Sequence, residues 1–195
     1  MTETAKKRRS SPRRSEDSRA AILAATREEL AESGWRKFSV DKVSRKAKAS
    51  KQTIYRWWPA IGNMCVEAAI DLIQPARTTG RDPVERIADI LLPIELAIRT
   101  GSGHSVLRGA LMASCDDAAS GETWRNWLKD NVRAPLRLIL AEIASKRIIR
   151  RDFDLEDAMD ILLGPIWNRV LVMRSPLPDH FSRKQAEILL AQLKP

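Results

Sequence analysis

The chain has 195 residues, of which 30% are charged and 44% are hydrophobic, and its formal net charge is +9. This length suits one large domain or a small head on a larger body, and the composition excludes a disordered polymer and a membrane protein. No stretch approaches the roughly 18 uninterrupted apolar residues of a membrane span, and no apolar segment of a secretion signal follows the basic N-terminus. We therefore expect a cytoplasmic protein without a membrane partner.

The excess positive charge is confined to the first third of the chain. Residues 1–58 carry 16 Lys and Arg against 7 Asp and Glu, whereas residues 59–195 carry 18 of each kind. A basic head on a neutral body is typical of a nucleic-acid-binding module attached to a second domain. Binding to a membrane surface is disfavoured, because the basic residues do not lie opposite a bulky apolar face.

The head is predicted to be a basic arm followed by short helices. Residues 1–15 contain six Lys or Arg and no large apolar residue beyond Met1, which predicts a flexible arm. The head domain, residues 16–75, is predicted to form helices over 16–33, 40–47, 51–58 and 61–74. Ser39 and Ser50 are expected to be the N-caps of the two short helices.

The body, residues 76–195, is predicted to be all-helical because it lacks alternating β-branched runs and hairpin turn signals. Its predicted helices run over 83–100, 103–117, 121–147, 154–174 and 182–193. Gly101 and Gly121 are expected to break helices, and Asp154 and Ser182 to cap them. The expected fold class is therefore all-α, with an N-terminal three-helix helix-turn-helix domain and a C-terminal helical domain.

Residues 39–58 have the layout of a helix-turn-helix motif, in which the second helix lies in the major groove of DNA. Lys51 and Arg56 can reach guanine, Gln52 can pair with adenine, and the methyl group of Thr53 can touch a thymine methyl. Tyr55 and Trp57 are better suited to phosphate or sugar contacts. Ile54 and Trp58 would anchor the inner face of this helix.

The start of the first short helix is expected to hold a phosphate through the Ser39 side chain and the Val40 amide. Four basic residues flank this position: Lys42, Arg45, Lys46 and Lys48. The complete set of predicted DNA-contacting residues is Ser39, Val40, Arg45, Lys48, Lys51, Gln52, Thr53, Tyr55, Arg56 and Trp57.

Residues 19–59, RAAILAATREELAESGWRKFSVDKVSRKAKASKQTIYRWWP, resemble the N-terminal domain of the TetR family of repressors. The late segment LLGPIWNRVL, followed by SPLPDHF, resembles a C-terminal class of the same family. The resemblance implies a homodimer, a body that binds an unidentified small-molecule effector, and loss of operator binding when the effector enters. Two recognition helices in one dimer would read a near-palindromic double-stranded operator.

The sequence departs from the family pattern at two places. Lys48 stands where the family usually has glycine, so either it is left-handed, at a cost of about 1 kcal/mol, or the turn changes. Pro59-Ala60-Ile61-Gly62 lacks the serine cap and the phosphate-clamping lysine that are usual in the family. We hypothesise that the basic arm, Lys6 to Arg14, supplies replacement phosphate contacts; a solvated tail is the equal alternative.

The dimer is expected to form through the late helices of the body. Between Ala158 and Met173 the chain is apolar nearly all round, and the last helix can pair with it to make a four-helix bundle with a second copy. The predicted interface comprises Ile161, Pro165, Val172, Ala186, Leu189, Leu190 and Leu193.

An apolar ligand pocket is predicted to be lined by Met64, Met112, Cys115, Trp124, Trp127 and Trp167, although residues of these types are more often ordinary core. Cys65 and Cys115 are predicted to be buried free thiols. No cofactor is predicted, and a metal site is disfavoured because His104 and His180 are isolated.

The sequence disfavours two other classes of function. No Ser/His/Asp, Cys/His or paired-carboxylate arrangement stands out, so an enzyme is disfavoured; a helical catalytic domain would need convergent titratable groups in one cavity. The alternative is a nonspecific DNA-binding architectural protein, which would be basic throughout. The neutral body argues against that alternative.

Overall fold

The computed structural model describes residues 12–74 and 82–194, and every regular element within these ranges is helical. The head contains α1 (Pro12–Ser33), α2 (Val40–Lys46), α3 (Lys51–Trp57) and α4 (Ile61–Ile70). The body contains α5 (Pro83–Arg99), α6 (Gly103–Asp116), α7 (Ala118–Leu128), α8 (Ala134–Ser145), α9 (Leu155–Trp167) and α10 (Phe181–Gln192). The all-α prediction is confirmed. Within the described ranges no helix is long and apolar enough to cross a membrane.

The first helix begins earlier than predicted. It starts at Pro12 rather than at residue 16, in keeping with the preference for proline in the first turn, where its missing N–H costs nothing. The last four residues of the predicted arm are therefore helical. The rest of the arm, residues 1–11, lies outside the described residues.

The prediction that Gly121 breaks a helix is wrong. The Asp117 carboxylate accepts the backbone N–H of Ser120 at 2.9 Å, so α7 begins at Ala118 and runs through the glycine. A Cβ at Gly121 would lie 2.7 Å from the carbonyl oxygen of Ser114. The glycine therefore permits the close approach of α7 to the end of α6 rather than ending a helix.

Two of the long predicted helices contain a π-helical turn. Lys129–Arg133 joins α7 to α8, and Asn168–Met173 extends α9. The first of these turns immediately precedes α8, whose second residue is Pro135. Because proline has no N–H and its ring crowds the preceding turn, a local shift of the hydrogen-bond pattern lets the helix continue.

The described residues form two apolar clusters, and α1 and α4 contribute to both. Ile22 of α1 and Met64 of α4 belong to the head cluster with the buried residues of α2 and α3. Leu30 of α1 and Val66 of α4 belong to the larger cluster of the body. The head is thus joined to the body along two helices, so a displacement of either helix reaches both cores.

The prediction that Ser182 caps the last helix is wrong, because the helix begins at Phe181 and Ser182 is buried. Its backbone N–H and its hydroxyl instead donate to Glu95 of α5 at 2.8 Å and 2.6 Å. Burial raises the pKa of Glu95, but the hydrogen bonds from Ser182 and Arg99 outweigh it and leave the pKa below its ordinary value. The Glu95 carboxylate of α5 thus accepts a backbone N–H group at the start of α10 that has no partner within the helix.

Candidate nucleic-acid interface

The helix α3 presents a polar face to solvent because its other face is fixed in the head core. Ser50 accepts the backbone N–H of Thr53 at 3.1 Å and so caps the helix, as predicted. Ile54 is fully buried, and Trp58, just past the helix, is 2% exposed. The outward side chains are exposed, namely Lys51, Gln52, Tyr55, Arg56 and Trp57. Thr53 is partly buried, and its hydroxyl shares a hydrogen bond of 2.9 Å with that of Ser50.

The turn between α2 and α3 contains Lys48 in the left-handed region, with φ of 50°. Of the two possibilities that the missing glycine leaves open, the chain therefore takes the strained backbone and keeps the turn. The Lys48 side chain is exposed. It is thus available to a phosphate beside the recognition helix.

Two lysines of α2 are bound to α1 and do not extend the basic surface. Lys42 Nζ lies 2.9 Å from the Ser33 hydroxyl and 3.2 Å from the carboxylate of Glu29, which is fully buried. Lys46 Nζ lies 2.8 Å from the Glu32 carboxylate, and this hydrogen bond lowers the pKa of Glu32 and raises that of Lys46. Of the four basic residues predicted to flank the start of α2, Lys42 and Lys46 therefore hold α2 on α1 rather than pointing freely towards DNA.

The remaining basic side chains of the motif differ in whether they form ion pairs within the protein. Lys51 forms an ion pair with Asp41, whose hydrogen bond raises the pKa of Lys51. Arg45, Lys48 and Arg56 are exposed, and within residues 12–74 and 82–194 they form no ion pair. These three cations are the strongest candidates for contacts to DNA. Ser39 and Val40 are partly buried, and the Ser39 hydroxyl accepts the backbone N–H of Lys42 at 3.4 Å.

The start of α4 lacks the side-chain cap that is usual in the family. Ala60 is the N-cap residue and makes no side-chain cap hydrogen bond. Ile61 is partly buried and packs against the head cluster. Its role in this fold is therefore packing of the head, and a lysine at this position would have to leave that cluster.

Polar contacts join α1 to α4 within the head, and the head to the body. Arg19 and Arg27 of α1 form ion pairs with Glu67 and Asp71, which belong to α4 and its C-terminal end, and the Arg27–Asp71 distance is 2.7 Å. The indole N–H of Trp35 donates to Asp116 at the end of α6 at 2.6 Å. A change in the position of α4 or α6 would therefore be transmitted to the head through these contacts.

The structure gathers only part of the predicted pocket. Trp124 stacks on Trp127 at 5.4 Å between ring centroids and meets Trp167 edge-on at 5.9 Å. Met64 lies in the head cluster, Met112 is partly buried on α6, and Cys115 is exposed. Burial of Cys115 was therefore predicted wrongly, and Cys65 is buried as predicted.

A cavity of about 340 Å³ does involve one of these tryptophans, Trp127. Among the described residues, the rest of its lining comes from the end of α4, from α5 and from the turn after α7: Ile70, Asp71, Ile73, Gln74, Ile90, Pro93 and Asn131. Sequence reasoning missed these residues because they become neighbours only in the fold. The one local signal was Asp71 and Gln74, polar residues that follow the mainly apolar helix α4.

The predicted dimer residues divide into an inward and an outward set. Ala186, Leu189 and Leu193 are buried within the protomer, because α10 packs on α5 and α9. Little of these three side chains is left exposed for a second copy, so the more exposed residues are the better candidates for the predicted interface. Ile161, Pro165 and Leu190 are partly buried. Val172, in the π-helical turn that extends α9, is 71% exposed, and Met173 beside it is 63% exposed.

A capped and exposed second helix, braced by α1 and joined to a separate helical body, defines a helix-turn-helix regulator that binds DNA. A model of the bacterial regulatory proteins of the tetR family matches residues 22–63, and a model of the tetracyclin repressor-like C-terminal domain matches residues 71–189. The chain belongs to the TetR family of transcriptional regulators and is not an enzyme.

Relatives and solved structures agree with this assignment. The chain is 28% identical over 176 residues to the uncharacterized HTH-type transcriptional regulator YdeS of Bacillus subtilis, covering 87% of this chain and 86% of that one. It is 26% identical over 189 residues to the uncharacterized HTH-type transcriptional regulator Mb1581 of Mycobacterium bovis, covering 94% and 89%. The crystal structure of the TetR family transcription regulator SCO0332 matches with a TM-score of 0.63 at 26% identity, covering 92% and 100%. Salmonella enterica GusR shares the fold, with a TM-score of 0.64 at 19% identity over 90% and 95%.

Proposed function

We propose that this regulator is a cytoplasmic homodimeric repressor that binds an inverted-repeat operator and leaves it when a small molecule enters the body. The observation that carries the proposal is the exposed face of α3, where Gln52, Tyr55 and Arg56 project from a helix anchored by a fully buried Ile54. In the major groove, arginine forms bidentate hydrogen bonds with guanine, and glutamine forms them with adenine.

The proposed symmetry follows from the size of the reading surface. A single recognition helix of seven residues, Lys51–Trp57, reaches only a few base pairs. Two copies related by a two-fold axis place their recognition helices about one DNA turn apart, which makes the preferred site an inverted repeat.

Selection of bound DNA from a random pool by the full-length protein tests the proposal. We expect enrichment of an inverted repeat and an affinity that falls steeply as salt rises, because basic side chains displace counterions from phosphates. An architectural protein would enrich no sequence. A reporter placed behind the selected site then distinguishes a repressor, which lowers expression, from an activator.

Release by a small molecule is proposed from the cavity at the end of α4. Its volume of about 340 Å³ lies at the small end of the range for ligand sites. It also adjoins Asp71, which forms an ion pair with α1. A ligand in this cavity would therefore contact Asp71, which in turn binds α1, the helix that braces the helix-turn-helix motif.

A further inference from the structure

The charges that line the cavity indicate which kind of molecule it accepts. Asp71 is the only charged side chain among the described residues of the lining, and Gln74 and Asn131 add amide oxygens. The carbonyl end of α4 lies at the same place, and the last turn of α4 contains no basic residue. A helix C-terminus carries partial negative charge and favours a cation.

The apolar part of the lining adds a flat aromatic surface. One face of the Trp127 ring is stacked on Trp124, so its orientation is fixed by packing. A fixed indole attracts a cation through its ring electrons and an aromatic group through stacking. Isoleucine side chains and Pro93 complete an apolar wall.

We propose that the cavity binds a small organic cation with an apolar, aromatic body, and that the cation competes with Arg27 for the carboxylate of Asp71. The proposal rests on the proposed ligand response and names the ligand class and the first step of that response. Arg27 Nη1 donates to Asp71 at 2.7 Å, and the Asp71 side chain is 55% exposed. The Arg27 side chain is 23% exposed, but the Asp71 carboxylate is open to water, which weakens the ion pair enough for a cation in the cavity to displace it.

Displacement of Arg27 would act on DNA binding through α1. Lys42 and Lys46 fix α2 on α1, so the helix that loses its bond to Asp71 is the one that positions the helix-turn-helix motif. Arg19–Glu67 also joins α1 to α4, but Glu67 does not line the cavity. This second ion pair is therefore a control for the loss of any contact between α1 and α4.

The test uses two probes of the same shape and different charge. Benzyltrimethylammonium carries a quaternary nitrogen where neopentylbenzene has a quaternary carbon. Tryptophan emission of the full-length protein reports their binding. We expect the cation to bind at least about 10-fold more tightly than the hydrocarbon, and Asp71→Asn to abolish most of this difference.

The competition with Arg27 has its own readout. Arg27→Gln should raise the affinity for the cation by about two- to five-fold, since the competing guanidinium is gone, and should reduce the effect of the cation on operator affinity. Arg19→Gln should leave the cation affinity unchanged. Thermal melts followed by circular dichroism establish that each variant is folded.

Three results would overturn the inference. Equal binding of the two probes, or binding of neither, rejects the cation site. An unchanged cation affinity in Arg27→Gln rejects the competition. The proposed function is judged separately by operator selection and the reporter assay without any probe, so a failed cation site with success in both leaves the repressor assignment standing.

Discussion

Arg56 lies exposed on α3 and forms no ion pair within the described part of the chain, so its guanidinium is free to read a base. Arg56→Ala should weaken operator binding by about 1–3 kcal/mol and relax the preference at one position of each half-site. Binding to a set of operators with single base changes measures both effects. Equal weakening on every sequence would show that Arg56 contacts a phosphate instead.

Arg45 provides the matched control for this prediction. It is also exposed and unpaired among the described residues, but it lies on α2 rather than on the reading helix. Arg45→Ala should weaken binding to all sequences alike and lower the salt dependence by about one phosphate contact. A change of sequence preference in Arg45→Ala would contradict this division of roles.

The two cysteines differ in environment and should differ in reactivity. Burial raises the pKa of Cys65 to about 12, so its thiol remains protonated and covered at neutral pH. Cys115 is exposed on α6. A thiol reagent at pH 8 should therefore modify one cysteine per native chain rapidly and the second only after denaturation. Loss of the rapid reaction in Cys115→Ser would confirm the assignment, and rapid reaction of both thiols in the native chain would contradict it.

The contact between α1 and α2 depends on a buried charge. Lys42 is the cation beside the fully buried carboxylate of Glu29, so Lys42→Met should lower the free energy of unfolding by about 1–3 kcal/mol. Denaturant unfolding measures this loss. The double variant Lys42→Met/Glu29→Gln should recover part of it, because a neutral amide is less costly to bury.

Lys46 tests whether burial is the cause of that effect. Its partners Glu28 and Glu32 are mostly exposed, so Lys46→Met should leave stability nearly unchanged. Equal losses of stability in Lys42→Met and Lys46→Met would mean that the burial of Glu29 is not what makes Lys42 important.

A second pair of elements, α5 and α8, is joined by a carboxylate with a strongly lowered pKa. Hydrogen bonds from Arg86 and then Lys146 lower the pKa of Glu142 from 4.5 to about 2. Because the folded pKa lies below the unfolded one, this stabilisation is complete above pH 4.5 and is lost as the pH falls towards 2. The stability difference between the parent and Glu142→Gln should therefore be largest above pH 4.5 and vanish near pH 2.

Urea unfolding at several pH values measures this dependence. Glu122→Gln is the control, since Glu122 is exposed on α7 and forms no ion pair in the described chain. A pH-independent difference for Glu142→Gln would show that packing rather than charge joins the two helices.

Local chemistry accounts for the elements that could be predicted from the sequence. Ser39 and Ser50 cap their helices through hydrogen bonds that span three residues, so the motif could be located without a structure. Ser182 looked like the same signal, but its partner Glu95 is 87 residues away. The cavity could not be predicted for the same reason, because Asp71, Pro93 and Asn131 come from three separate segments. Contacts between residues far apart in sequence could not be predicted, because only the folded chain brings them together.

The whole molecule is proposed to act as a dimer, and the exposed apolar end of α9 gives a test of the interface. Val172 and Met173 are exposed in the protomer, whereas Ala186 and Leu189 of α10 are buried within it. If Val172 meets a second copy, Val172→Glu places a carboxylate in an apolar interface without a partner, and the dimer should dissociate.

Leu138→Glu is a matched control, because Leu138 is also 71% exposed but lies on α8 beside Lys129 and Arg137. Sedimentation at micromolar concentration should show monomers of Val172→Glu and dimers of both the parent and Leu138→Glu. Operator binding should fall in Val172→Glu alone, since one protomer reads only one half-site. A Val172→Glu protein that remains dimeric would exclude this end of α9 from the interface, and dissociation of Leu138→Glu would place the interface on α8.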